Sequence, residues 1–166
     1  MAVDQVTKAL AQLRLADGRS RTVIRGILSL RLVRNPGASL GLGAGHTWII
    51  SLLAAAACII FIVLAIRTTS YRWTIVLSLA LAGAAGNLTD RIAYAGGFLD
   101  GAVVDFLDYG WSIGNIADIF LTLAGVAVVV MILAEVPFRE GSPAPGPATG
   151  KRPDGGGTGA EGDAAA

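Results

Sequence analysis

Charge is scarce in this chain. Only 15% of its 166 residues are Asp, Glu, Lys or Arg, 54% are hydrophobic, and the mean hydropathy is +0.64. An ordinary soluble domain carries roughly 25% charged and about 45–50% apolar residues. Cysteine is nearly absent: Cys58 stands alone in Ala55-Ala56-Ala57-Cys58-Ile59, which excludes an intrachain disulfide framework and reads as small-residue packing. Histidine is equally rare. With His46 alone and no Cys cluster beside it, a metal site has little to build on, so no metal or other cofactor is expected. A net charge of +1, without a basic stripe interleaved with aromatics, excludes a nucleic-acid partner. No charged start followed by an apolar region precedes Asp4-Gln5-Val6-Thr7-Lys8, so no secretory signal is expected.

What is abundant is uninterrupted apolar sequence. Residues 47–66 and 73–89 contain no charge, and residues 112–134 contain Asp118 alone. A membrane-spanning helix needs roughly 17–25 mostly apolar residues, and none of the three runs offers the polar face of a soluble helix. All three are read as spans. The short connection 67–72 makes the first two an antiparallel pair. Trp73, Trp111 and Tyr71 are read as interface anchors.

Between the spans the pattern changes. Leu28, Leu30 and Leu32 alternate with Ser29, Arg31 and Val33, the period of a half-buried strand, and Asn35-Pro36-Gly37 carries turn chemistry. Residues 18–45 are therefore expected to form a small sheet-containing insertion outside the bilayer. A turn is expected at Gly96-Gly97, and a short strand over 101–106. Residues 141–166, rich in Gly, Pro and Ala, hold too little apolar surface to order themselves and are expected to be a disordered tail.

Alternation of the loops puts residues 4–46 and 90–111 on one side of the membrane, and 67–72 and 135–166 on the other. Asp4, Lys8, Asn35, Asn87, Asp90, Arg91, Asp105, Asn115 and Asp118 then all fall at one membrane surface. That asymmetry predicts a single working face. Ionisable groups at membrane depth are costly and mark function, and two carboxylates within reach of each other can share a proton and activate water. Asp105 and Asp118 form such a pair. Asp118 lies about one turn into its helix, whose start either Asn115 or Ser112 could cap. Gly83-Ala84-Ala85-Gly86 offers a small-residue surface for close helix approach. Asn87 and Arg91, four residues apart, share a helix face and could grip a peptide backbone. A blander reading makes Asp90 and Arg91 an interfacial charge pair. Another makes Asp118 the relay acid of a small non-enzymatic protein, such as a proton-coupled transporter subunit. A lone relay acid would not require Asp105, Asn87 and Arg91 at the same surface.

These motifs resemble those of the lipoprotein signal peptidase (signal peptidase II) family of bacterial membrane aspartyl peptidases. Five blocks match in order over residues 4 to 134: Asp4-Gln5-Val6-Thr7-Lys8, Asn35-Pro36-Gly37-Ala38-Ser39-Leu40-Gly41, Gly86-Asn87-Leu88-Thr89-Asp90-Arg91, Val103-Val104-Asp105-Phe106 and Asn115-Ile116-Ala117-Asp118. The resemblance implies a membrane all-α bundle of four spans with a small extracytoplasmic β-sheet. It implies Asp105 and Asp118 as the catalytic dyad. Asn35, Asn87, Arg91 and Asn115 would contact substrate, with Asp4, Lys8, Gly37, Gly86 and Asp90 as structural support. The substrate would be a diacylglyceryl-modified prolipoprotein, cut just before the lipid-modified cysteine. The enzyme would be a monomer among membrane lipids, with its peptidase domain over residues 1–140 and residues 141–166 as a cytoplasmic tail. Three features depart from the family. Only three residues precede Asp4, where the family has about a full helix, Leu40 stands where Phe is usual, and Gly114 replaces the Phe before Asn115. Orientation is contested as well. The basic residues of 8–46, with Arg91, outnumber those of the other side and by the positive-inside rule favour a cytoplasmic site, whereas the resemblance puts the site outside.

Overall fold

The computed structural model describes residues 1–38, 43–139 and 141. Among them, helix α1 (Ala2–Arg14) leads into a hairpin of β1 (Arg21–Ile24) and β2 (Leu28–Asn35). Helices α2 (Thr47–Arg67) and α3 (Tyr71–Ala93) follow. Then come β3 (Val103–Asp108), the short β4 (Ile113–Gly114) and α4 (Ile116–Leu133). Three helices, α2, α3 and α4, are long and apolar enough to cross a membrane. The third predicted span begins later than its apolar run. Ile113 and Gly114 pair with β3, and Asn115 caps the helix. The second runs on to Ala93, carrying Asn87, Asp90 and Arg91 on helical backbone.

α3 lies between the other two long helices, and its sequence allows both contacts. Trp73, Val76, Leu77 and Ala80 form one buried cluster with Ala124 and Met131 of α4, against which Phe61 and Leu64 of α2 pack. Nearer the other end α3 narrows to Gly83 and Gly86. A Cβ on Gly83 would stand 2.6 Å from the Ala117 carbonyl oxygen, and one on Gly86 would stand 2.6 Å from Asp4 Oδ2. Only hydrogen fits at these two positions. This is the close approach expected of the small-residue stretch, and it lets backbone and polar groups meet where lipid offers no hydrophobic drive for association.

Trp73 is not an exposed anchor. It is 9% exposed, donates from Nε1 to the Val136 carbonyl and packs edge-on against Phe138. The chain turns back after α4 through Glu135 in the left-handed region, and Thr68 fastens it by donating to the Phe138 carbonyl. Tyr71 and Trp111 are exposed, as anchors would be.

The four strands form one antiparallel sheet in the order β1-β2-β3-β4. The sheet is thus not confined to the 18–45 stretch, because half its strands come from the loop before α4. The leucine alternation of β2 does face a core: Leu28, Leu30 and Leu32 pack on Ala11 of α1 and Leu15 just after it, and on Phe106 and Leu107 of β3. The pairing also sets the site. Val33 pairs with Asp105 and Asn35 with Val103, after a register shift between Leu30 and Val33. The end of β2 is thereby laid beside the middle of β3. Ser39, Leu40 and Gly41, like the tail from 142 onward, lie outside the described residues.

Candidate active site

The sequence-predicted polar residues converge on the junction of α1, the sheet and the ends of α3 and α4. Lys8 anchors the cluster. Its ammonium is 3.0 Å from Asp4 and 2.9 Å from Asp90, and it donates to Asn87 Oδ1 at 3.1 Å. All three ammonium hydrogens are therefore used, and Asp4, Lys8 and Asp90 are each almost wholly buried. Asp90 does not pair with Arg91, as the bland reading would have it. Its other partners are the Val104 amide and Gln5 Nε2, at 2.9 and 3.0 Å.

The first turn of α4 is satisfied from two directions. Asn115 Oδ1 accepts from the Asp118 amide at 3.1 Å, and Asp118 Oδ2 accepts from the Asn115 amide at 3.0 Å, a reciprocal capping box. Asp4 Oδ1, from the distant α1, accepts from the Ala117 amide at 2.9 Å. Helix N-termini leave such amide donors unmatched and favour a nearby anion, so these bonds hold α1 and α4 together. Of the two capping candidates in the sequence, Asn115 takes the role.

The two aspartates are tied to the same residue. Asn115 Nδ2 donates to Asp105 Oδ1 at 2.6 Å and to Asn87 Oδ1 at 3.0 Å, while its backbone holds Asp118. The second oxygen of Asp105 accepts from Asn35 Nδ2 at 2.9 Å, and Asp118 Oδ1 accepts from Asn87 Nδ2 at 2.8 Å. Asn35 also donates to the Ala38 carbonyl and accepts from the Gly37 amide, closing the expected turn. That turn is fixed from two helices: Arg91 donates to the Gly37 carbonyl at 2.8 Å and Thr47 to the Pro36 carbonyl at 2.6 Å. Gly114 leaves room beside Asp118, because a Cβ there would lie 2.8 Å from its Oδ2.

The carboxylates sit in different surroundings. Asp105 is 2% exposed, whereas Asp118 is half-buried. Burial, joined by the nearby Asp118, raises the Asp105 pKa to about 6, against hydrogen bonds from Asn35 and Asn115 that favour the charged form. An open cleft of ≈ 380 Å³ reaches Asp105 from the sheet, lined by Arg31, Arg34, Asn35, Pro36 and Trp111 among others. One donor is left over. Arg91 Nε is buried and has no hydrogen-bond partner among the described residues, while the rest of its guanidinium donates to the Asn87 and Gly37 carbonyls.

Sequence reasoning missed Gln5, whose Nε2 donates to Asp4, Asp90 and the Gly86 carbonyl. Its place between Asp4 and Lys8, one turn or less from both, was the available signal. Ser51 was also missed; it reaches the Leu99 carbonyl at 2.6 Å from inside an apolar helix. Nothing in its apolar neighbourhood distinguishes it.

Residues 1–134 match the family model described as signal peptidase (SPase) II. The lipoprotein signal peptidase of Bifidobacterium adolescentis is 62% identical over 140 residues, covering 84% of this chain and 75% of that protein. That of Bifidobacterium longum is 58% identical over 138 residues, covering 83% and 76%. A bacterial membrane enzyme solved by the in meso method superposes with a TM-score of 0.70 at 28% identity, over 86% of this chain and 88% of the other.

Proposed function

The chain belongs to the signal peptidase II family, and we propose that within it Asp105 and Asp118 are the catalytic pair. The protein is a multi-pass bacterial membrane hydrolase, an aspartic endopeptidase that removes the signal peptide from diacylglyceryl-modified prolipoproteins. The observation that carries the residue assignment is Asn115, which holds both carboxylates at once. One carboxylate takes a proton from water as it attacks the scissile carbonyl, and the other, protonated, gives its proton to that carbonyl oxygen. Asp105, with its raised pKa, is suited to carry the proton.

Roles among the neighbours follow from their unspent hydrogen-bond capacity. Both amide hydrogens of Asn115 and of Asn35 are committed inside the protein, so these two position the carboxylates rather than touch substrate. Among the described residues, Asn87 commits one amide hydrogen, to Asp118, and Arg91 Nε none. A buried donor without a partner costs about 1–3 kcal/mol, which an arriving peptide carbonyl would recover. Asn87 and Arg91 are therefore the substrate-backbone contacts. Asp4, Lys8, Gly37, Gly86 and Asp90 support them.

The reading includes the family's four-span arrangement, with α1 at the place of the first span's outer end, and an extracytoplasmic site. The short α2–α3 turn, with Arg67 and Arg72 at its ends, supports a cytoplasmic position for the opposite surface. Residues 1–140 form one monomeric peptidase unit, and the tail lies on the cytoplasmic side without a catalytic part. The full chain reconstituted in lipid should cleave a diacylglyceryl-modified prolipoprotein and leave the unmodified precursor intact, read as a mobility shift on a gel. Intact modified substrate beside a correctly inserted enzyme would sink the assignment.

A pH profile tests the pair separately. The reactive form needs one proton on the dyad, so kcat/KM should fall as pH rises through about 6. The Asn35 hydrogen bond favours the charged form of Asp105. Its loss in Asn35→Ala raises the Asp105 pKa further, so the alkaline limb should move to higher pH. An unmoved limb would remove Asp105 from the titrating pair.

A further inference from the structure

We propose that the free edge of the sheet rests in the headgroup layer of the bilayer and takes anionic phospholipid headgroups on Arg19 and Arg25. With the edge strand β1 go the turn at Gly26 and, at the same end of the sheet, the β3–β4 turn that carries Tyr109 and Trp111. The side chains presented there are wrong for water. Val23, Ile24 and Ile27 are 56%, 49% and 65% exposed, and Trp111 is 77% exposed. Single exposed apolar residues are ordinary, but these share one region: a shallow depression lined by Gly26, Ile27 and Ser29 on one side has Asp108, Tyr109 and Gly110 on the other. The Tyr109 and Trp111 rings stack with centroids 6.3 Å apart. Tyr and Trp concentrate where a protein meets the membrane–water boundary.

The charges around this edge are mostly positive. Arg14, Arg19, Arg21, Arg25, Arg31 and Arg34 face a single acid, Asp17, within residues 14–34. Arg21 pairs with Asp17 at 3.2 Å, Arg31 with Asp108 at 3.4 Å, and Arg34 bonds Gln12 and lies over the Tyr94 ring. Arg19 and Arg25 make no ion pair among the described residues. Apolar and aromatic side chains flanked by uncompensated arginines match the boundary of an anionic bilayer, where the long stems lie on apolar surface and the guanidinium groups meet phosphate. The sheet is already at that boundary, since β4 runs straight through Asn115 into α4. The inference holds for either orientation of the chain. With the extracytoplasmic site proposed above, it also accounts for arginines on a side where the positive-inside rule does not require them.

Trp111 provides the test. In the full chain with Trp48→Phe and Trp73→Phe, set in lipid nanodiscs without substrate, Trp111 should emit at short wavelength. It should lose most of that emission when the acyl chains are brominated near the headgroup, and more in phosphatidylglycerol than in phosphatidylcholine. Arg19→Gln with Arg25→Gln should abolish the difference between the two lipids. A nitroxide on Ile27→Cys in a Cys58→Ser chain, with all three tryptophans kept, should be relaxed more by oxygen than by a water-soluble nickel chelate. Emission indifferent to bromine with a nitroxide open to nickel would overturn the proposal, as would lipid contact seen only after substrate is added. Equal quenching in the two lipids would overturn the headgroup pairing.

Discussion

Asp105→Asn and Asp118→Asn should each cut prolipoprotein cleavage by about 10²–10⁴-fold, the range that positioned acid–base groups contribute, or below detection. Neither should unfold the protein. An Asn at 118 keeps an oxygen that can accept from the Asn115 amide, so the capping box survives. An Asn at 105 keeps an oxygen for one of its two asparagine donors, Asn35 and Asn115. Substitution of Asp118 by Ala would confound the measurement, because it removes half of the capping box in addition to chemistry. Asp108→Asn is the control. Asp108 lines the same cleft but pairs with Arg31 at the surface, and its loss should leave the rate within a few fold of the parent. The readout is single-turnover cleavage in lipid alongside thermal unfolding of each variant. A cleavage rate near that of the parent in either dyad variant would end its assignment as a catalytic residue.

Lys8→Met should be the most damaging change to the fold outside the apolar core. The methionine fills much of the same volume but leaves Asp4 and Asp90 facing each other, 0% and 1% exposed, with no cation between them. Breaking a buried ion pair by removing one partner costs about 3–5 kcal/mol, because the survivor keeps its desolvation cost and loses its compensation. Here two survivors remain. Asn87 also loses a donor to its carbonyl, loosening the residue that holds Asp118. Unfolding in detergent should therefore move to much lower temperature, and activity should fall with it. The triple change Asp4→Asn, Lys8→Met, Asp90→Asn should recover a large part of the stability. If Lys8→Met alone unfolds like the parent, the ammonium is not a structural centre.

The spans were legible because apolar runs of that length have few alternatives, and β2 because its leucines alternate. The gathering of polar residues at one surface was legible too, since loop alternation forces it. The division of labour was not. The resemblance makes Asn35 and Asn115 substrate contacts, and the positioning role proposed for them rests on something else. Both amide hydrogens of each have partners among the described residues, which appears only when every partner is placed. Trp73 reads as an anchor from its position at a helix start, but Val136 and Phe138 fold back over it from across the bundle. Of the sheet's second half, the strand expected over 101–106 forms as β3 at Val103–Asp108, whereas β4 escaped because it is two residues long and sits inside an apolar run that reads as helix.

α1 is fastened to the body mainly through Asp4, Gln5 and Lys8, while its outward residues Val3, Val6, Leu10 and Leu13 are exposed. Such a latch is only as tight as it is dry. Where water is excluded, nothing competes for the ammonium or the carboxylates, and releasing α1 would strand them. A detergent that wets this junction offers each group a substitute partner while leaving the apolar packing of α2, α3 and α4 untouched. The choice of amphiphile is then a choice about whether the catalytic floor stays assembled, and two preparations with the same helix content can differ in how many molecules are competent.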